Sequence, residues 1–285
     1  MNRTDLALEL KEELQEKTKL EGVSVKTRID VKHHLKETKI KIENQRGEEL
    51  LGKPKGTYIT LETKNLSSND GAYHKEMSQA LYDNLCDFIK KGESILVAGL
   101  GNAEVTADSL GPKVVNNLWI TRHLVKEHTT IGVQKLSAIA PGVMAQTGIE
   151  TSEILEALIE KTKPDILIVV DALAARSSSR LNKTIQISDT GIAPGSGVGN
   201  HRNEITKETV GIPVLAVGVP TVISVPAIIR DIVGEDLVED LISAVDEEFQ
   251  TMHVTPKNID EAVKRISYTI SEGINRLLHN HANSE

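Results

Sequence analysis

The sequence predicts an α/β fold: a mainly parallel twisted sheet with helices on both faces, plus a small N-terminal antiparallel accessory region. Three observations carry this. Short continuous apolar runs recur at Ser94–Asn102 (SILVAGLGN), Ile166–Ala172 (ILIVVDA) and Pro213–Pro220 (PVLAVGVP). Between them lie segments with apolar residues at helical spacing. Strands buried on both faces read as unbroken apolar runs, and their alternation with helices implies β-α-β units with right-handed crossovers. Finally, 39% of the 285 residues are hydrophobic but only 2% are aromatic, so the core is built from Ile, Val, Leu and Ala.

Taken in order, the N-terminus MNRTDLALELKEEL is charged and helix-like and lacks the apolar stretch of a signal peptide. Residues 6–71 read as the accessory β region. Thr38–Asn44 and Tyr58–Glu62 alternate apolar and polar side chains, as half-buried strands do, and GKPKG and SSNDG punctuate them. From residue 72 to 285 the pattern is that of the α/β core. Ala72–Lys91 places Leu81, Leu85, Phe88 and Ile89 at helical spacing, with Cys86 among them as a buried small hydrophobe. After the first apolar strand a helix is expected from about Ala107 through VVNNLWITRHLV. Thr151–Thr162 is the next helix, stopped by Pro164; Ile166–Ala172 and the alternating Thr184–Asp189 are strands; Pro213–Pro220 is the third apolar strand. Beyond Gly234 the chain reads as helices, Ile259–His279 the clearest.

The bulk numbers exclude several classes. No apolar run reaches membrane-spanning length. A net charge of −8 argues against direct nucleic-acid binding, and the single cysteine excludes an intrachain disulfide, which fits a reducing cytoplasm.

Two aspartates fall where a site belongs. In open parallel sheets, ligands bind beyond the carboxyl ends of the strands. Asp171 directly follows ILIVV, at the top of a buried strand, and Asp108 follows the strand SILVAGLG across NAEVTA. If those strands are close in the sheet, both carboxyl groups face one crevice. Asp108 read alone is equally a helix-start residue favoured by the macrodipole, and Asp171 a loop cap. As a pair in a desolvated crevice they cannot both ionise easily. One keeps its proton and the other stays a base, which suits activation of water and protonation of a leaving amine.

Other constellations are weaker. GLGNAE (Gly99–Glu104) and PGSGVGN (Pro194–Asn200) miss the dinucleotide spacing and lack a P-loop lysine. His123 and His128 stand about 140° apart around a helix, so they cannot clasp one metal ion. His33 and His34 read as surface, and no G-x-S-x-G elbow exists. His201, after the Gly-rich loop, is a candidate third polar group at the crevice.

Six long segments resemble the spore germination protease family: NRTDLALE, VAGLGNAEVTADSLGPKVVNNLWITRHL, SAIAPGVMAQTGIETSEIL, KTKPDILIVVDALAARSSSRLNKTIQISDTGIAPGSGVGN, GIPVLAVGVPTVI and HVTPKNID. The resemblance implies a fold like that of hydrogenase-maturation endopeptidases. It implies an endopeptidase, read as an unusual aspartic type without a cofactor or metal, that degrades small acid-soluble spore proteins during germination. It implies a cytoplasmic homotetramer of the spore core, made as an inactive zymogen. The family's two aspartates fall on Asp108 and Asp171. Its cleavage pattern, an acid followed by a hydrophobic residue and Ala, falls on Asp5, Leu6 and Ala7. That makes 1–5 the candidate propeptide and 6–285 the single peptidase domain.

Asn102 and the loop glycines Gly195, Gly197 and Gly199, with His201, are the candidates for holding a peptide backbone. Two departures from the family stand out: the leader is very short, with Asn2 where the family tends to have an acid, and the segment before HVTPKNID is compressed to Ile232–Met252, which reads as one amphipathic helix. Two alternatives remain open: a metal-dependent maturation-type peptidase using Asp108, Asp171 and His201, and a non-catalytic nucleotide-binding protein.

Overall fold

A computed structural model describes residues 4–15, 21–32, 34–63, 66, 71–126, 134–199, 202–234, 241–242 and 246–279. Among these described residues nine strands form one sheet. They are β1 (Val23–Asp30), β2 (Leu35–Ile42), β3 (Gly56–Glu62), β4 (Ile95–Gly99), β5 (Leu136–Ile139), β6 (Ile166–Ala175), β7 (Thr184–Ser188), β8 (Val214–Ser224) and β9 (His253–Val254). The order is β1-β2-β3-β7-β8-β6-β4-β5, with β9 paired to β8. Pairing is parallel from β8 through β6 and β4 to β5 and antiparallel everywhere else. The parallel core is as expected. The N-terminal strands are not a separate layer: they extend the same sheet through β3 and β7.

The apolar runs explain the layering. Along β4 and β6, Ile95, Val97, Ile168 and Val170 point to one face, and Leu96, Ala98, Leu167 and Val169 to the other. Helices cover both faces, so a charged residue on either would be desolvated. On the first face lie α3 (Gly71–Cys86), α4 (Leu110–Asn116) and the C-terminal helix Ile259–His279. The last buries Val263, Ile266, Ile270, Ile274 and Leu277, three or four residues apart, each stabilising by about 1.5–3 kcal/mol. On the second face the helix Thr151–Thr162 supplies Leu155 and Ile159. It ends at Lys163, whose left-handed backbone precedes Pro164, because a residue before proline avoids the helical region. A third cluster packs α1 (Ala7–Gln15) and α2 (Gln45–Leu51) on the antiparallel half through Ala7, Leu8, Ile40, Ile42, Leu51 and Tyr58.

Several expectations are corrected. The helix expected through residues 107–125 is broken into a single 3-10 turn (Thr106–Asp108), α4, and α5 (Arg122–Lys126). Tertiary hydrogen bonds take over the backbone at the break: Asn275 accepts from Trp119 N–H and donates to the Asn117 carbonyl, and Thr121 N–H donates to the Leu136 carbonyl. β1 and α2 lie where no element was expected, although Asn44 caps α2 by accepting from Gly47 N–H and Gly52 closes it. Cys86, expected to be buried, is exposed at the end of α3. Ile232–Met252 is not one helix: the helix Val225–Val233 ends at Gly234, whose left-handed backbone lets its N–H cap the Arg230 carbonyl, and Glu247–Thr251 forms a separate short helix. Strand β6 runs four residues beyond Asp171.

Candidate active site

Asp171 sits at the step where β6 outruns its neighbour. Pairing between β4 and β6 stops at Gly99 and Val170, while β6 continues alongside β8 through Gly218 and beyond. Past that step one side of β6 is uncovered, and a cleft of about 260 Å³ opens there, lined in part by Asp5, Asp108, Asp171, Ala174 and Arg202. The longer strand therefore does not displace Asp171 from the site; the strand end that matters is that of β4.

Asp108 reaches the same cleft by a tight return of the chain. Leu100 N–H closes the end of β4 on the Val170 carbonyl at 2.8 Å. Gly101 then adopts φ +104°, and a side chain there would sit 2.0 Å from the Asp108 carbonyl oxygen, so only glycine admits the loop. Asn102 N–H donates to Asp108 Oδ2 at 2.7 Å. Thr221, fully buried on β8, donates to the Ala107 carbonyl at 2.7 Å and fixes the turn to the sheet. Below it, Gly99 and Gly111 let α4 approach β4: a Cβ on Gly111 would lie 2.3 Å from the Leu100 carbonyl oxygen.

The two carboxyl groups hold their protons unusually tightly. Asp171 is 4% exposed and accepts one bond, from Ala172 N–H at 2.9 Å. Burial, then the neighbouring charges of Asp108 and Asp5, push its pKa well above the ordinary value. Asp108 is pushed up by burial and partly offset by the Asn102 amide. A carboxyl that favours its neutral form beside one with a backbone donor is the arrangement in which a proton is shared unequally.

Asp5 and Glu150 also line the cleft, Asp5 brought there by the N-terminal segment. Asp5 Oδ1 accepts from Ser196 Oγ at 2.8 Å and its Oδ2 from Ala174 N–H at 2.9 Å. Gln186 holds the backbone on both sides of Leu6: Nε2 donates to the Asp5 carbonyl at 3.0 Å and Oε1 accepts from Ala7 N–H at 2.8 Å. Leu6 and Ala7 are fully buried. Downstream, Glu9 accepts from the amides of Arg176 and Ser177 at 2.9 Å and from the Thr4 hydroxyl.

Of the sequence candidates, Asp108, Asp171, Gly195 and Asp5 line the cleft. Gly197 abuts Asp5. Asn102 orients Asp108, and its side chain accepts from Glu104 N–H and Gln146 Nε2. Gly199 closes the short turn Ser196–Val198. His201, and with it the third ligand of the metal alternative, lies outside the described residues, as do His33 and His128. Among the described residues no three His, Cys, Asp or Glu side chains converge as metal ligands. Sequence reasoning missed Gln186 and Ser196. A signal existed for the first: Thr184, Gln186 and Ser188 put three polar residues on one face of a strand that is wholly buried.

The comparisons agree with one another. Residues 1–248 match the model of a family described as germination protease. A germination protease of Caldanaerobacter subterraneus subsp. tengcongensis is 42% identical over 308 aligned positions, covering 97% of this chain and 94% of that one. One from Bacillus subtilis is 45% identical, covering 81% and 66%. Among solved structures, a [NiFe] hydrogenase maturation protease HycI from Thermococcus kodakarensis matches 70% of this chain and 99% of its own at 19% identity and a TM-score of 0.38, a likeness on which no inference rests. No helix among the described residues is long and apolar enough to cross a membrane. With six sequence segments, the family match and these relatives in accord, the chain belongs to the germination protease family.

Proposed function

We propose that the chain is an endopeptidase that begins the degradation of small acid-soluble spore proteins at germination, cutting after an acidic and before a hydrophobic residue, with Asp108 and Asp171 as an aspartic-type pair. The observation that carries this reading is the single cleft in which both carboxyl groups are desolvated and each raises its hold on a proton. Asp171, the more deeply buried, carries the shared proton; Asp108, supported by the Asn102 amide, is the base. Water loses a proton to Asp108 as its oxygen bonds to the scissile carbonyl carbon. The carbon–nitrogen bond then breaks as Asp171 protonates the leaving amine, and the proton on Asp108 returns the pair to its starting state.

The same reading includes a zymogen that cuts itself between Asp5 and Leu6, with residues 6–285 as one peptidase domain working as a homotetramer in the spore core. What supports the zymogen is that the uncut segment already lies in the cleft, with Asp5 beside the pair. Four acidic residues, Asp5, Asp108, Glu150 and Asp171, line the cleft against one arginine, Arg202, an excess that disfavours a phosphate ligand and counts against the nucleotide alternative.

The test is Asp171→Asn and Asp108→Asn made separately, each assayed on purified spore protein and for appearance of a Leu6 N-terminus. Both activities fall together if the reading holds. A correctly folded variant that keeps either activity removes that residue from the chemistry.

A further inference from the structure

The uncut chain displays how a peptide is gripped beside the two aspartates. Asp5 to Ala7 run past Gln186, whose amide bonds the backbone on either side of the buried Leu6. The side chain of Asp5 turns into a niche of its own. One oxygen meets the Ser196 hydroxyl and the other the Ala174 amide, while Gly197 forms a wall so close that an added Cβ would lie 2.2 Å from Oδ2. The backbone of Gly197 is not left-handed, so it is the close approach, not conformation, that excludes a side chain there. Asp5 also lines a second cavity together with Lys53.

We propose that the Ser196 hydroxyl, the Ala174 backbone amide and the bare face of Gly197 form the subsite that selects an acidic side chain in a substrate, and that Asp5 fills it in the uncut chain. This rests on the endopeptidase reading above. The selectivity follows from the donors. The backbone N–H can only donate, and the hydroxyl is turned to donate as well, so the niche offers two hydrogens to one planar group. A carboxylate accepts through both oxygens. An amide of the same shape offers a single acceptor oxygen, so the Ser196 hydroxyl has to turn and accept from its NH2, and both bonds lose their charge assistance. Losing a charge-assisted bond of this kind corresponds to about tenfold or more in affinity.

The experiment measures binding without turnover. Full-length protein carrying Asp5→Ala, to clear the niche, and Asp171→Asn, to stop cleavage, is titrated with fluorescein-labelled peptides TDLALE and TNLALE. Fluorescence anisotropy reports binding, and mass spectrometry confirms that neither peptide is consumed. We expect the acidic peptide to bind at least tenfold tighter. Adding Ser196→Ala or Gly197→Ala should reduce that preference to within about twofold. Equal affinities for the two peptides, or a preference unchanged by both substitutions, overturns the proposal.

Should Asp5→Ala fail to fold, amide exchange in the otherwise native chain decides instead. Ser196→Ala should speed exchange at Leu6 and Ala7 at least tenfold over a Ser179→Ala control, and equal rates in the two overturn the subsite. Failure of the catalytic pair shows differently: Asp171→Asn would then consume the acidic peptide while the preference for it stays intact.

Discussion

The parallel half of the sheet (β5, β4, β6, β8) and the antiparallel half (β7, β3, β2, β1) share one ladder of hydrogen bonds but meet solvent differently. Every residue of β4 is buried, as is nearly all of β6, whereas β1 at the far edge is half-buried to exposed throughout. Charge is treated accordingly. In the parallel half Asp171 and Asp108 stand in a desolvated cleft with few donors, and their proton affinity rises. Toward the antiparallel edge Lys39 with Asp87 and Arg46 with Glu21 form exposed ion pairs, both at 3.1 Å, worth little to stability. Proton affinity is thus raised where burial makes charge costly. At the seam, β6 and β7 hold the N-terminal segment through Ala174 and Gln186.

The sharpest way to break this comparison is to neutralise the buried acid. Asp171→Asn should lower peptidase activity by about 10²–10⁴-fold, the usual worth of a general acid, measured on spore protein at matched folded concentrations. Its stability should move the other way. Folded Asp171 has a raised pKa, so the stability it contributes is complete below the unfolded carboxylate value, about 4, and is lost as pH rises through the folded value. Melting curves across pH should therefore show the variant above the parent at pH 7 and level with it near pH 4. A parent whose stability does not fall over that range would contradict the desolvated carboxyl.

The seam comes next. Arg180, 7% exposed, reaches Glu62 at 2.8 Å, Glu12 at 2.5 Å and Glu9 at 3.7 Å, tying α1 to the sheet. Arg180→Met removes the cation that Glu9, Glu12 and Glu62 share and should cost about 3 kcal/mol, read from the urea midpoint. A loss below about 1 kcal/mol would mean the seam behaves like the exposed edge.

Within the parallel half, Gly111→Ala forces a Cβ against the Leu100 backbone and should destabilise by about 1–3 kcal/mol. Because α4 follows Asp108 directly, activity should fall further than stability alone explains. The smallest effect belongs to the outer edge: Ile29 on β1 is 65% exposed, and Ile29→Ser should change unfolding free energy by no more than about 0.5 kcal/mol.

Much of this was legible in the residues. The apolar runs, the helices Thr151–Thr162 and Ile259–His279, and the convergence of Asp108 and Asp171 on one cleft all follow from periodicity and from the cost of placing an acid next to buried strands. Those signals are local, so one chain segment is enough to carry them. The tertiary structure alone decided the rest. It broke the helix after Asn116, because Asn275, 158 residues further on from Asn117, bonds that carbonyl. It set the cleft that both aspartates line at the step between β4 and β6, where one strand outlasts its neighbour, and strand length is a property of the pair. It also put Asp5 beside Asp171 and between Ser196 and Ala174. Hydrogen bonds between groups so far apart in the chain leave no period in the sequence, and only folding brings their donors and acceptors within reach.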